Sequence, residues 1–154
     1  MIQNIFKGMG VAVITPFTQS GDVDYPALHR LVEYLPSNGT AFLCILATTG
    51  EIPTLTTEEK QKIKELVVSD AKGKVPILMG CGGNNTAEVV NAIRTVDLKG
   101  VDGILSVCPF YNKPSQEGLY CHFKAIASES TLPVVLYNVP GRTGVNMQAE
   151  TTLR

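Results

Sequence analysis

Val134-Val135-Leu136-Tyr137-Asn138-Val139-Pro140-Gly141-Arg142-Thr143-Gly144 opens as a strand and closes as a turn. Val134, Val135 and Leu136 are β-branched or aliphatic with no polar alternation, the pattern of a strand in a parallel sheet covered on both faces. Tyr137 and Asn138 then put polar groups at the strand's carboxyl end, Pro140-Gly141 turns the chain, and Arg142 follows. A phenol and a guanidinium on a sharp turn after a buried strand suit proton transfer beside a bound carboxylate. Taken singly, Tyr137 reads better as a core aromatic, Pro-Gly as an ordinary loop and Arg142 as a solvated charge. Four earlier strands ending in similar punctuation tip the balance toward chemistry.

Working outward, the other apolar runs are Gly10 to Phe17, Ala41 to Ala47, Val75 to Cys81 and Gly103 to Cys108. With Pro133 to Val139 they recur roughly every 30 residues, the length of one βα unit. Helical patterns fill the gaps. Asp24 caps the first, with Leu28, Leu31, Val32 and Leu35 on one face. Thr56 and Glu59 form a capping box for the second, which buries Ile63, Leu66 and Val67. Asn85 and Glu88 open the third, with Val89, Ile93 and Val96 inward. Ser115 opens the fourth, with Leu119, Phe123, Ile126 and Ala127 inward.

Strict alternation of buried strands and helices predicts a parallel α/β sheet with right-handed crossovers, either an open doubly wound sheet or a closed (β/α)8 TIM barrel. A dinucleotide fold wants G-x-G-x-x-G after its first strand, where this chain has Thr15-Pro16-Phe17. Gly80-Cys81-Gly82-Gly83 has neither that spacing nor the lysine of a phosphate loop. Polar residues follow every strand, which favours the barrel, whose active sites gather at the strands' carboxyl ends. A barrel takes about 250 residues, so residues 1–154 are expected to be the N-terminal part of one barrel domain, its first four to five βα units. Gln148 to Arg154 reads as the start of a fifth helix, with the remaining units expected past Arg154.

Hydrophobic content of 44% against 18% charged fits a well-buried globular chain, and a formal net charge of -1 offers nothing to nucleic acid or an anionic membrane. Met1 to Lys7 carries no signal-peptide pattern, and no apolar run nears the roughly 18 residues of a membrane span. A cytoplasmic location is expected. Cys44, Cys81, Cys108 and Cys121 lack C-x-x-C spacing, and His29 and His122 lie far apart on predicted helices, so no metal site is expected. Cys121 and His122 are helix neighbours and point about 100° apart, which argues against a nucleophile–base pair.

Two more stretches carry candidate chemistry. Ala47-Thr48-Thr49-Gly50-Glu51 follows the second strand, and its adjacent hydroxyls, with a glycine able to take φ > 0, suit a carboxylate. Pro109 to Gly118, Pro-Phe-Tyr-Asn-Lys-Pro-Ser-Gln-Glu-Gly, follows the fourth. Together with Thr15-Pro16-Phe17 and Tyr137 to Gly144, these stretches resemble the dihydrodipicolinate synthase branch of the pyruvate-dependent class I aldolases. That family also includes N-acetylneuraminate lyase. The similarity runs from about Phe6 to the last residue, and the tract Ser115 to Ala127 favours the synthase branch.

The resemblance implies a (β/α)8 barrel that condenses pyruvate with aspartate semialdehyde on the route to diaminopimelate and lysine, without metal or organic cofactor. A barrel lysine forms a Schiff base with pyruvate, and the imine is the electron sink. Tyr137 resembles the general acid/base. Thr48 resembles the hydroxyl linking it to Tyr111, and Tyr111 the residue lent by a neighbouring subunit of a dimer of dimers. Thr49 resembles the residue gripping the pyruvate carboxylate, and Arg142 the one meeting the semialdehyde's carboxylate. A phenol is a poor base unaided, so a hydroxyl chain that fixes its proton is useful. A planar guanidinium suits bidentate carboxylate recognition. Asn84 and Glu88 match a regulatory lysine pocket. Ile52, Pro53, Lys60 and Phe110 depart from that pocket's pattern, so weak lysine inhibition is expected.

Ala47 stands where the family usually has glycine, and Phe110 where many members have tyrosine. The Schiff-base lysine is expected on a sixth strand beyond Arg154. Lys60, Lys62, Lys64, Lys72, Lys99 and Lys124 fall on predicted helices or their ends, and Lys7 and Lys74 precede strands. Only Lys113 falls on the catalytic face, in a solvated loop. The chain alone is therefore expected to be inactive. The alternatives are an N-acetylneuraminate lyase-like aldolase and a short, non-catalytic assembly module, the latter needing cover for the backbone edges of its first and fifth strands.

Overall fold

The computed structural model describes residues 5–71 and 73–154. Residues 1–4 and Lys72, which figure in the readings of the N-terminus and of the helix-bound lysines, lie outside the described residues. The chain divides into two compact units, residues 1–80 with 100–102 and residues 81–99 with 103–154.

In the first unit, β1 (Gly10–Ala12), β2 (Phe42–Ile45) and β3 (Ile77–Gly80) pair in parallel in chain order, with Val11 opposite Leu43 and Leu43 opposite Ile77. β1 is shorter than its apolar run. Val13 N–H still donates to Cys44 O at 2.8 Å, but Pro16 has no N–H to offer a ladder. Phe17 instead bridges antiparallel to Val23. Helices α1 (Tyr25–Ser37) and α2 (Thr57–Ala71) connect the strands. Asp24 Oδ1 accepts from Ala27 N–H at 2.9 Å, as its capping role requires. The capping box of α2 is reciprocal: Thr56 N–H donates to Glu59 Oε2 at 2.8 Å, and Glu59 N–H to Thr56 Oγ1 at 3.2 Å. Leu28 and Val32 of α1 and Ile63 and Val67 of α2 are buried, while Leu31, Leu35 and Leu66 are half-buried. Burying each such aliphatic side chain contributes roughly 1.5–3 kcal/mol.

In the second unit, α3 (Thr86–Thr95) precedes β4 (Gly103–Val107), and α4 (Gln116–Glu129) precedes β5 (Val134–Tyr137). The strands pair in parallel with Val107 opposite Tyr137. Asn85 accepts from Ala87 N–H and Glu88 N–H, and Ser115 from Gly118 N–H, so both expected caps are made. The core gathers Val89 and Ile93 of α3, Ile104 and Cys108 on and after β4, Leu119, Phe123 and Ile126 of α4, and Met147.

Three expectations change. Ala127 is exposed, and His122 takes its place on the buried stripe of α4. β5 is half-buried along its whole length rather than covered on both faces. Within its unit it pairs with β4 on one edge, and only Val134 and Leu136 pack against the helix-side core. Pro140-Gly141 is a helical turn, α5 (Pro140–Thr143), since a proline at the first helical position loses no bond. The helix expected from Gln148 is α6 (Ala149–Leu153), with Gln148 as its N-cap. No helix among the described residues is long and apolar enough to cross a membrane.

Candidate active site

In the first unit, the turn after β2 carries Thr48 and Thr49, both exposed, in a single 3-10 turn Thr48–Gly50. Gly50 N–H bonds to Ala47 O at 3.0 Å and Glu51 N–H to Thr48 O at 3.1 Å. The sequence placed the left-handed residue at Gly50. It falls instead on Leu46 (φ 52°) and Glu51 (φ 53°), on either side of the threonines. Gly50 sits in close quarters: a Cβ there would lie 3.2 Å from Val13 O, a tight contact that calls for a small shift of its neighbour. Gly80, at the end of β3, is likewise pressed against the Leu46 carbonyl, where a Cβ would overlap. Left-handed backbone at non-glycine residues costs on the order of 1–3 kcal/mol each and persists where its surroundings over-determine it. Here the surroundings include Thr15 Oγ1, which donates to Gly50 O at 2.7 Å from a buried position.

In the second unit, Tyr137 ends β5 and is half-buried, its carbonyl accepting from Cys108 N–H at 2.9 Å. Arg142 is exposed on the one-turn α5, whose C-cap Gly144 has φ 72°. Thr143 is buried beneath that turn and donates to Val145 O at 2.9 Å. After β4 the backbone is again left-handed at Tyr111 (φ 71°) and Lys113 (φ 49°). Asn112 between them is fastened to Asn84: its amide donates to Asn84 O at 2.7 Å, and Asn84 Nδ2 donates to Asn112 Oδ1 at 3.2 Å. Tyr111 is 89% exposed. The stem of Lys113 lies against Gly144, where a Cβ would come within 3.1 Å of Lys113 Cε. The loop bearing Tyr111 and the turn bearing Arg142 are thus in contact. Glu88 is exposed in the first turn of α3.

Cys44, Cys81, Cys108 and His122 belong to the packed interior, whereas Cys121 and His29 lie at the surface. Burial pushes the Cys44 thiol up to about 11 and raises those of Cys81 and Cys108, which keeps them protonated. Cys121 is exposed while the adjacent His122 is buried, so the two do not form a pair. Burial also lowers the pKa of His122, whose Nδ1 sits 2.8 Å from Thr86 Oγ1. Among the described residues no group of histidine, cysteine and carboxylate side chains could hold a metal ion.

Thr15 and Asn138 stand in stretches singled out from the sequence, but their structural roles were not read there. Thr15 shares the inward alternation of Val13, a signal that was legible. Asn138 fastens the turn after β5 to residues 146 and 147, a contact that no local pattern announces.

Comparisons with known proteins extend over the whole chain. The model of the Dihydrodipicolinate synthetase family matches residues 5–154. The chain is 61% identical over 154 residues to a 4-hydroxy-tetrahydrodipicolinate synthase of Phocaeicola vulgatus, covering 100% of this chain and 52% of that one. Against the Bacillus subtilis enzyme of the same description it is 50% identical over 149 residues, 97% of this chain and 51% of that. Among solved structures it resembles a dihydrodipicolinate synthase from Bacillus anthracis with TM-score 0.92 and 45% identity, covering 100% of this chain and 52% of that one. A synthase from Cyanidioschyzon merolae with lysine bound gives TM-score 0.91 and 41% identity over 97% and 51%. The chain therefore spans about half the length of the relatives it matches, and its fold class is α/β, a partial TIM barrel.

Proposed function

The chain belongs to the dihydrodipicolinate synthetase family, and from that premise we propose that it forms the pyruvate- and aldehyde-binding half of a 4-hydroxy-tetrahydrodipicolinate synthase. In this reading pyruvate condenses with a lysine amine, releasing water and forming an imine. Loss of a methyl proton gives an enamine, whose carbon attacks the aldehyde carbon of aspartate semialdehyde. Tyr137 moves the protons, with Thr48 linking it to a Tyr111 lent by a neighbouring subunit of a homotetramer. Thr49 holds the pyruvate carboxylate, and Arg142 holds that of the semialdehyde. The protein acts in the cytoplasm and needs no organic cofactor.

One observation carries the reading: each side chain given a catalytic or substrate-binding role follows or ends a strand at its carboxyl end, on backbone held by named contacts. Thr48 and Thr49 lie between the left-handed Leu46 and Glu51, and Tyr111 is itself left-handed. Tyr137 closes β5, and Arg142 rides on the next turn.

The Schiff-base lysine belongs to the half of the relatives' length that this chain does not span. Among the described lysines only Lys113 follows a strand's carboxyl end, and it is exposed on a loop. An imine-forming lysine must be neutral at working pH, which calls for desolvation or a neighbouring cation. Asn84 and Glu88 are assigned by the resemblance to a regulatory lysine pocket, and weak lysine inhibition is expected because Ile52, Pro53, Lys60 and Phe110 depart from that pocket's pattern.

The test is turnover by the complete enzyme given pyruvate with either aspartate semialdehyde or N-acetylmannosamine. Condensation with the semialdehyde is expected. Preference for the amino sugar would place the protein with the sialic-acid lyases, and no turnover of either would remove the enzymatic reading.

A further inference from the structure

The side chain of Asn138 uses its whole hydrogen-bonding capacity. Its Nδ2 donates to Asn146 Oδ1 at 2.7 Å and to Met147 O at 3.3 Å. Its Oδ1 accepts from Met147 N–H at 3.0 Å and from the Cys108 thiol at 3.6 Å. A second amide continues the chain. Gln116, the first residue of α4, donates to Asn146 O at 2.8 Å and accepts from Gln148 N–H at 3.0 Å and Thr151 Oγ1 at 2.6 Å. The segment from Asn146 to Thr151 is thus gripped at one end by the residue after β5 and at the other by the start of α4.

This clamp lies where the sheet stops holding the chain. Tyr137 is fixed by backbone contacts of the ladder, its pairing with Val107 and the 2.9 Å bond from Cys108 N–H, and the Asn138 side chain reaches that neighbour only through the long thiol contact. Arg142 has no ladder. Its turn is held locally by Arg142 N–H to Val139 O at 2.9 Å and by Thr143. The far side of that turn, at Asn146 and Met147, is tied back to β5 by Asn138.

We propose that Asn138, with Gln116 behind it, is a positioning residue for Arg142: the amide clamp sets the turn's placement, and so the grip on the second substrate's carboxylate, while leaving Tyr137 untouched. The proposal rests on the assignment of Arg142 to that carboxylate. A guanidinium engages a carboxylate through two parallel bonds, so a small displacement of its turn weakens binding more than a point charge would.

Asn138→Asp is nearly isosteric and keeps the acceptor for Met147 N–H, but it turns the donor facing Met147 O into an oxygen. Asn146 can rotate its amide to compensate, whereas a backbone carbonyl cannot. Gln116→Glu keeps both acceptances and loses one donation, so its effect should be smaller. In the complete enzyme, Asn138→Asp should raise KM for aspartate semialdehyde on the order of tenfold, with KM for pyruvate within about threefold. Amide hydrogen exchange should quicken at Thr143, Val145 and Met147 and stay unchanged in α3. Unchanged exchange at those amides would overturn the clamp. Faster exchange with both KM values unaltered, or raised equally, would overturn its role in recognition. Arg142→Ala separates this from the underlying assignment. If that variant leaves the semialdehyde KM unchanged, the role given to Arg142 fails, whatever Asn138 does to exchange.

Discussion

Thr15 and Gly50, 35 residues apart, are joined by a buried hydrogen bond of 2.7 Å that ties the chain leaving β1 to the turn bearing Thr48 and Thr49. Thr15→Val keeps the shape and removes the donor, leaving the Gly50 carbonyl without it. Such a loss costs about 1–3 kcal/mol. The urea midpoint should fall accordingly, and Thr15→Ser should recover most of the difference. Equal midpoints for the valine and serine variants would show that the bond does not hold the turn.

Tyr137→Phe should lower turnover of the complete enzyme by roughly 10² or more, the usual scale for a general acid/base. The ladder holds the residue through its backbone, so loss of the hydroxyl should leave stability almost unchanged. Steady-state rates within about threefold of the parent would end the assignment.

The element order was legible because each level of the sequence agreed with the next. The Asp24, Thr56, Asn85 and Ser115 caps stood where a polar side chain met an apolar periodicity, and each makes its bond. Strand lengths were less legible, since an apolar run continues past the last ladder bond, as Ile14 to Phe17 does. The exchange of Ala127 for His122 on the α4 stripe followed from treating a histidine as polar when its neighbour Thr86 could satisfy one nitrogen. At the candidate site the motifs nominated the residues, but backbone strain was not legible. Gly50 was the residue expected to take positive φ, yet Leu46, Glu51, Tyr111 and Lys113 carry left-handed backbone, as does Gly144. Such strain is imposed by tertiary contacts, which local propensity does not encode.

The two histidines should bend the pH dependence of stability in opposite directions. Burial lowers the pKa of His122, so the unfolded chain binds its proton first, and the stability due to neutral His122 is lost as pH falls below ~6.5. His29 pairs with Asp70 at 2.8 Å and with Glu33 at 3.4 Å, and the Asp70 hydrogen bond chiefly raises its pKa. Its contribution is full below ~6.5 and is lost as pH rises through the folded value. The His29 pair is exposed and its effect small. Urea midpoints between pH 5 and 8 should therefore flatten on the acid side for His122→Gln and fall there for His29→Gln. Shifts of the same sign in both variants would contradict this account.

Thiol labelling should be sharply selective. Cys121 is exposed, whereas Cys44 and Cys108 are buried and Cys81 is half-buried, all three held protonated by burial. The thiolate is the reactive form, so burial suppresses both access and nucleophilicity. Brief treatment with a maleimide should add one label, mapped to Cys121, and denaturant should expose the rest. Early labelling of Cys44 would mean that the first unit opens readily.

The 154-residue chain alone should form no covalent imine with pyruvate. Imine formation needs a neutral amine at a site that also holds the carboxylate. Lys64 is buried but sits on α2, and the Lys62 and Lys124 ammonium groups lie over the Tyr25 and Tyr120 rings, each on a helix. Lys113 follows β4, yet it is exposed and its stem is spread along Gly144. Thr48, Thr49 and Arg142 would then meet pyruvate only as a weak carboxylate site. Incubation with pyruvate and borohydride, followed by intact mass measurement, reads the outcome directly. An unmodified mass beside a labelled complete enzyme is expected. A stoichiometric pyruvyl adduct on the chain alone would overturn the prediction, and its mapping to Lys113 would make that residue the Schiff-base lysine.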